Sequence, residues 1–391
     1  MRKEVRAVKI ALGMIIRSLD SEAELMSFVE NARKFGHDPD CVIVAYTHQH
    51  DPRVEHSINE KIPLFAVDIK NPYYCREQMK RFGISGETTR ELLECPVDTR
   101  NGLVPYGYNR MIVVIEAIMR GLDTVFFVDS DVFPKVLRKT QDGHILEEVD
   151  FFGAHLKYLN SGSDVTTGEY SGYNILPPAL FDGMEDFLTG VQKPEMLEYW
   201  QTSFTHRSLV AQPDKTEPKP SNKILGGNVA IKLSSLAKLP PFFSSHYTCD
   251  GELFLCRGED TVLGLGIGQN GTVCTDIGLN PLHDTYKNYP AEPDLRNDPD
   301  TQERFYYACT GWVGRNPLLN HILGNDLKAT REFQRQHLER GLRALASYTS
   351  NSRFNSVMRN FEVSWDSLGR YINELDRVTE AWYNLMEGLK V

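Results

Sequence analysis

The sequence predicts an α/β protein with a mainly parallel sheet flanked by helices, followed by a C-terminal helical extension. In the first part of the chain, short apolar runs rich in β-branched residues alternate with helical segments. After about residue 324 the pattern becomes purely helical. In parallel sheets of this kind, ligands bind at the carboxyl ends of the strands. We therefore expect the functional side chains to come directly after strands.

Composition narrows the class of protein. The 391 residues carry a formal net charge of −10, which disfavours a protein that mainly binds a nucleic-acid backbone. The apolar stretch "VKIALGMII" near the start is too short to span a membrane and lacks a signal cleavage site, so we expect a cytoplasmic protein. The seven cysteines include no Cys-x-x-Cys pair, which favours buried reduced thiols over structural zinc or disulfides.

The first half of the chain contains the predicted parallel strands. A strand at residues 8–16 precedes a helix that ends at Gly36, and two more strands lie in "CVIVAYT" and "IPLFAVDI". A second helix over about residues 109–120 leads directly into the strand "TVFFVDSD". This strand–helix alternation defines a nucleotide-binding half at about residues 1–134.

The second half, at about residues 135–324, is predicted to complete one domain over residues 1–324. Strands are predicted in "FFGAHLKYL" at residues 151–159 and in "GGNVAIKL" at residues 226–233. Residues 211–223, "AQPDKTEPKPSNK", are predicted to form a solvated loop, with a mobile lid as the alternative.

Residues 325–391 are predicted to form the helical extension. One apolar stripe with spacings of three and four runs down a long predicted helix, at Trp365, Leu368, Ile372, Leu375, Val378, Trp382 and Leu385. The stripe either packs on the catalytic domain or forms a seam for a homo-oligomer.

Two carboxylates follow the predicted strand of "FFVDSDVFP". Asp129 and Asp131 flank Ser130, so in an extended chain both carboxylates lie on the same side. There they can bind one hard cation, Mg²⁺ or Mn²⁺, together with the diphosphate oxygens that it bridges. The alternative is a turn in which the aspartates cap backbone amides.

Further candidates lie downstream. Gly226 and Gly227 allow a backbone to approach a ligand closely, or form a simple turn, and the Asn228 amide can hydrogen-bond a hydroxyl. Glu259 and Asp260 open a helical segment, where the helix dipole alone favours acidic residues. His283 is a ligand type suited to Mn²⁺, or an exposed loop histidine.

The order of these motifs resembles the GT-A class of nucleotide-sugar-dependent glycosyltransferases, and in particular the inverting glycosyltransferase family 2. The resemblance covers about residues 8–290, and "GGNVAIKLSSL" with "GEDTVLG" are its most specific parts. The chain departs from the family after the first strand, where "IIRSLDS" replaces the usual Pro-x-Tyr/Phe-Asn turn. The resemblance implies a Rossmann-like GT-A fold.

The resemblance also implies roles for the motif residues. Asp131 would be the direct metal ligand, with Asp129 binding ribose or a metal-bound water, and His283 would be the late metal-binding histidine. Asp260 would be the catalytic base, with Glu259 positioning the acceptor or a loop amide.

The resemblance makes residues 1–324 a catalytic domain. Its nucleotide-binding half would be at about residues 1–134 and its acceptor-binding half at about residues 135–324. The nucleotide would be bound by residues around the ends of the first strands and the second helix, namely Arg17, Ser18, Tyr46, Asp68, Asn109, Arg110, Asp129 and Ser130. The sugar and acceptor would contact Gly226, Gly227 and Asn228, and Trp200 and Trp312 would stack on sugar faces unless their rings belong to the core.

The resulting hypothesis is a hexosyltransferase that uses a UDP- or GDP-sugar, a divalent cation and a hydroxyl acceptor such as a carbohydrate, with inversion. A retaining GT-A enzyme and a catalytically silent nucleotide-sugar or carbohydrate-binding protein are the alternatives. A sugar-phosphate nucleotidyltransferase is disfavoured because "RSLDSEAEL" is not a glycine-rich, basic phosphate loop.

Overall fold

A computed structural model describes the protein over residues 8–99, 103–172, 176–197, 210–267, 271–287 and 289–390. Trp200, one of the two predicted stacking tryptophans, lies outside the described residues. Within the described ranges, no helix combines the length and the apolar character that a membrane span requires.

Strands and helices alternate through the first half of the chain, as the sequence predicts. In order they are β1 (Ile10–Leu19), α1 (Ala23–Lys34), β2 (Cys41–His50), α2 (Pro52–Asn59), β3 (Leu64–Asp68), α3 (Tyr73–Arg81), α4 (Gly86–Leu93), α5 (Tyr106–Met119) and β4 (Thr124–Asp129). The apolar strands β1, β2 and β4 are buried along most of their length, as expected for a sheet covered on both faces.

The second half adds shorter strands and the C-terminal helices. Its described elements are β5 (Val132–Thr140), β6 (Gly143–Glu148), α6 (Phe151–Asn160), β7 (Val165–Thr167), α7 (Met184–Gly190), β8 (Lys219–Pro220), β9 (Asn228–Lys232), β10 (His246–Cys249), β11 (Glu252–Leu255), α8 (Glu259–Gly266), β12 (Cys274–Asp276), β13 (Pro281–His283), α9 (Pro299–Ile322), α10 (Leu327–Thr349), α11 (Val357–Asp366) and α12 (Leu368–Leu389). The prediction of an α/β body with a helical C-terminal region is confirmed.

The central sheet of the described chain has eight strands in the order β3-β2-β1-β4-β9-β7-β12-β8. The half formed by β3, β2, β1 and β4 is entirely parallel, whereas β9 runs antiparallel to both β4 and β7. Asp129, the last residue of β4, pairs with Ile15 of β1. The first carboxylate of the Asp-x-Asp motif therefore lies at the carboxyl edge of the parallel strands, where the fold class places ligands.

One predicted strand is wrong, because residues 151–159 form helix α6. The Asp150 side chain accepts a hydrogen bond of 2.8 Å from the Gly153 N–H and so caps the helix start. Phe151, Phe152, His155 and Leu159 are buried together, which is the spacing of a helix face. The aromatic and apolar content of this short run hid the helical period, since short apolar runs are ambiguous.

The loop at residues 211–223 is mostly exposed but is attached to the sheet. The Gln212 side-chain amide donates a hydrogen bond of 2.7 Å to the Gly278 carbonyl. Lys219 and Pro220 form the edge strand β8, which pairs antiparallel with β12. The segment therefore has a fixed place beside the sheet at both of these points.

The C-terminal apolar stripe packs on the α/β body. It is divided between two helices, because Trp365 lies in α11 and the rest of the stripe lies in α12. Trp382 is only 2% exposed, joins the core that contains α5 and β4, and donates a hydrogen bond of 3.0 Å from Nε1 to the Leu239 carbonyl. Of the two interpretations of the stripe, this contact favours packing on the body.

We expect Trp382→Ala to destabilise the protein by about 3–5 kcal/mol, because it removes a large buried ring and leaves a cavity. Thermal and denaturant unfolding would measure the loss. Tyr383→Ala is the matched control, since this neighbouring ring is 37% exposed and its removal should cost far less. Equal losses for the two variants would show that α12 does not depend on its contact with the body.

Candidate active site

The two carboxylates of the Asp-x-Asp motif have different partners. Asp129 Oδ1 accepts a hydrogen bond of 2.8 Å from Arg110 Nη2. Asp131, which precedes β5, has one carboxylate oxygen 3.1 Å from His283 Nε2 and the other 2.9 Å from Arg304 Nη2. The motif therefore joins two separate clusters of charged side chains at one edge of the sheet.

Arg110 organises the first cluster from the interior. Its side chain is 2% exposed, and besides Asp129 its guanidinium donates to the Gly226 carbonyl at 2.6 Å and to Glu259 at 3.3 Å. Helix α5 thus connects the end of β4, the loop before β9 and the start of α8. A buried guanidinium requires such partners, because an unpaired buried charge is costly.

Gly226 and Gly227 make this connection possible. A Cβ atom at residue 226 would lie 2.4 Å from Arg110 Nη2, and one at residue 227 would lie 2.5 Å from Asp129 Oδ2. The Gly227 N–H donates a hydrogen bond of 2.9 Å to the Tyr170 hydroxyl. The sequence predicts that a ligand approaches this pair of glycines closely. In the structure, the side chains of Arg110 and Asp129 occupy that space.

Glu259 and Asp260, at the start of α8, lie in different environments. Glu259 is 6% exposed, and burial together with the charge of Asp260 raises its pKa to about 7, although Arg110 acts in the opposite direction. Asp260 is partly exposed and accepts backbone N–H bonds from Thr261 at 2.7 Å and from Gly226 at 3.3 Å. Of the two carboxylates, Asp260 is therefore the one that faces the solvent side.

Asp131 and His283 form a tightly coupled ion pair. Burial acts to raise the pKa of Asp131, but the charges of His283 and Arg304 outweigh it and lower the pKa to about 2. Burial acts to lower the pKa of His283, and the Asp131 charge reverses this and raises it. β13 brings the histidine to this place, because His283 pairs with Val132 across the β13–β5 ladder.

The residues predicted to bind a metal fit this role in part. Asp131 and His283 are adjacent and combine a carboxylate with an imidazole, a donor pair suited to Mn²⁺. Asp129 is committed to Arg110, and in the described residues no three His, Cys, Asp or Glu side chains converge as a metal-binding group. A cation on Asp131 would have to displace the Arg304 guanidinium and use the neutral form of His283.

The predicted nucleotide pocket lies at the same edge of the sheet. Tyr46 pairs with Ile16 of β1 on one side and with Asp68 of β3 on the other. The exposed Arg17 and the partly buried Ser18 follow directly in β1, and Ser130 is partly buried beside the two aspartates. The ends of the four parallel strands thus bring these predicted donor contacts to one edge of the sheet.

Three other predicted site residues lie in the interior. Asn109 and Asn228 are fully buried, and the Asn228 amide donates to the carbonyls of Glu169 and Leu279, both at 2.9 Å. Trp312 is 3% exposed and packs edge-on against Phe305 in the helical core. Asn228 and Trp312 therefore stabilise the fold around the site and do not line a surface open to a sugar.

Three residues that the fold adds to the site belong to no sequence motif. Arg304 comes from α9, far along the chain from the aspartate that it contacts. Tyr170 touches the Gly227 amide, and Tyr106, the first residue of α5, lies where the charges of both Arg257 and Asp129 reach its hydroxyl. Only their tertiary placement identifies them.

Comparisons with known proteins give weak similarities. No protein-family model matches the chain, and no curated protein sequence matches it. Among solved structures, glucosyl-3-phosphoglycerate synthase from Mycobacterium tuberculosis with Mn²⁺, UDP and phosphoglyceric acid is 13% identical, with a TM-score of 0.41 over 82% of this chain and 80% of that chain. The same enzyme with Mn²⁺, UDP-glucose and phosphoglyceric acid is 14% identical, with a TM-score of 0.40 over 82% and 81%.

We expect Arg110→Met to destabilise the protein by about 3–5 kcal/mol, because Asp129 would lose its buried partner and the Gly226 carbonyl its donor. Unfolding measurements would detect this loss. Arg343→Met is the matched control, since Arg343 forms an exposed ion pair with Glu339 within one helix that should contribute only about 0.3–0.5 kcal/mol. If the two variants were equally stable, Arg110 would not hold the site together.

Proposed function

We propose that the protein is a metal-dependent glycosyltransferase of the GT-A type, which moves a hexose from a UDP- or GDP-sugar to a hydroxyl acceptor. The main support is one arrangement: the Asp-x-Asp motif at the end of β4 is adjacent to His283, and Arg110 connects it to Glu259 at the start of α8 and to Gly226, whose N–H donates to Asp260. This arrangement contains both a cation-binding edge and an accessible carboxylate. The motif resemblance assigns the same residues to these two tasks.

The donor nucleotide would bind along the carboxyl ends of β1 to β4. Tyr46 offers a partly buried ring for the base, and Asp68 offers a carboxylate for the ribose hydroxyls. Asp131 and His283 would hold the Mn²⁺ or Mg²⁺ ion. When bound, such a cation neutralises the diphosphate as it leaves. Arg304, released from Asp131, would remain near enough to pair with a phosphate oxygen.

Asp260 would act on the acceptor. The N–H groups of Thr261 and Gly226 each bond one oxygen of its carboxylate, which fixes the orientation of the group. As the acceptor oxygen attacks the anomeric carbon, Asp260 takes the hydroxyl proton, and attack opposite the leaving diphosphate inverts the configuration. Glu259 would support this step indirectly, because its contact with Arg110 orients the start of α8.

We expect Asp131→Asn to reduce Mn²⁺-dependent UDP binding by at least about tenfold, because a neutral amide is a much weaker cation ligand. Isothermal titration calorimetry of UDP with and without Mn²⁺ measures this effect without relying on turnover. Asp214→Asn, in an exposed loop, is the control for the loss of one negative charge. UDP binding that is equally tight in excess chelator would contradict a metal-assisted donor site.

We expect Asp260→Asn to keep donor binding near the wild-type level while transfer falls by about 10²–10⁴-fold, the usual contribution of a general base. Glu259→Gln should reduce transfer less, because Glu259 is buried and contacts Arg110 rather than the acceptor. Turnover and UDP affinity are measured for both variants. If Glu259→Gln had the larger effect, the base would be Glu259, and full activity in both variants would exclude a base in this pair.

A further inference from the structure

Three cationic side chains gather on one face of helix α9, beside the proposed base. Arg315 belongs to this helix, Arg257 comes from the loop before α8, and Lys193 comes from the segment after α7. None of them belongs to the sequence motifs, and the donor side of the site does not use them. Three cations in this position can bind an anionic ligand.

Close packing brings these side chains together. The Arg257 N–H donates a hydrogen bond of 3.0 Å to the Gly311 carbonyl, and a Cβ atom at residue 311 would lie 2.6 Å from Arg257 Cγ. The glycine therefore lets the Arg257 side chain cross α9 one turn before Arg315. Lys193 Nζ lies 5.3 Å from the centre of the Trp312 ring, which is also on this turn of the helix.

The nearest carboxylates, Asp260 and Glu195, act on Lys193 and Arg315 only through their charge. In the described part of the chain, none of the three cations forms an ion pair, and Arg315 Nε is buried without a hydrogen-bond partner. Burial and the nearby charge of Arg315 lower the pKa of Lys193 to about 8, and burial lowers the pKa of Arg315. Charged side chains removed from water are rarely left unpaired in proteins, because their desolvation is costly. A bound anion would offset this cost.

The cluster lies next to Asp260. Arg315 Cδ is 3.0 Å from the position of a Cβ atom on Gly258, two residues before Asp260. Arg257, Arg315 and Thr261 line one cleft together with Ser244, whose hydroxyl is a further donor for an anion. The Ser245 hydroxyl, also in this cleft, donates to Glu374 at 2.7 Å. The charge of Asp260 also reaches both Lys193 and Arg315.

We infer that Lys193, Arg257 and Arg315 bind an anionic group, a phosphate or a carboxylate, on the acceptor whose hydroxyl Asp260 deprotonates. This inference rests on the proposed function and specifies its acceptor class as an anionic hydroxy compound instead of a neutral sugar. The guanidinium groups provide fork-shaped donors for the anion, and the lysine adds a point charge. Anchoring the anion there places the rest of the acceptor over Asp260.

Titration of inorganic phosphate into the protein without donor or metal tests the site directly. We expect Arg257→Gln, Arg315→Gln and Lys193→Met each to weaken phosphate binding by at least about tenfold, as the loss of a charged hydrogen bond predicts. Arg343→Gln, which removes an exposed arginine, should bind phosphate as the wild type does. Absent phosphate binding, or binding that all variants retain, would overturn the inference.

A stability measurement guards against variants that simply fail to fold. Without an anion, Arg315→Gln should be at least as stable as the wild type, because it removes a partly buried charge that has no ion-pair partner in the described chain. Phosphate should raise the Tm of the wild type and leave that of the variant unchanged. A variant that is less stable in phosphate-free buffer would assign Arg315 to the fold and contradict its role in binding.

Two further arms separate the possible ligands. Acetate in place of phosphate shows whether the site prefers a carboxylate or a phosphate. Phosphate should still bind to protein saturated with UDP, and loss of binding there would assign the cluster to the donor diphosphate and overturn the inference. If the protein transferred sugar to neutral acceptors and Arg257→Gln did so equally well, the inference would be rejected and the proposed function supported. If phosphate bound to the cluster but no transfer occurred, only the proposed function would be rejected.

Discussion

The buried Arg110 guanidinium imposes the main constraint on this site. A charge in the interior must have acceptors, and Arg110 finds them on Asp129, Glu259 and the Gly226 carbonyl. Each acceptor belongs to a different part of the chain, so satisfying one side chain fixes the positions of three segments. The glycines at 226 and 227 follow from this, because a side chain at either would collide with Arg110 or Asp129.

The charges around this centre divide into two regions with opposite balance. On the donor side, Asp131 is already neutralised by His283 and Arg304, so a cation has to compete for it. On the acceptor side, Arg257 and Arg315 have no carboxylate partner among the described residues. Under the proposed function, a metal ion would replace the Arg304 guanidinium in the first region, and an anion would bind in the second. Asp260 lies between the two, with its carboxylate fixed by backbone amides.

The parts of the fold that sequence could predict are those with a strong local signal. The parallel strands, the Asp-x-Asp motif at a strand end and the acidic start of α8 all follow from short stretches of sequence. The strand predicted at residues 151–159 is wrong because aromatic and apolar residues dominate this short window and hide the helical period, even though Asp150 before it is a helix cap. Arg304 and the interior positions of Asn228 and Trp312 could not be predicted, since they depend on contacts between distant segments. Residue type alone does not tell which way a side chain faces.

The most direct test of this account is a crystal structure of the protein with UDP and Mn²⁺. The account predicts the nucleotide along the ends of β1 to β4 and the ion on Asp131 and His283, with Arg304 moved away from Asp131. The three Arg110 contacts should remain as they are, because they hold the site together before any ligand binds. A nucleotide bound at another surface, or an ion that leaves the Asp131–Arg304 pair intact, would contradict the proposed donor site.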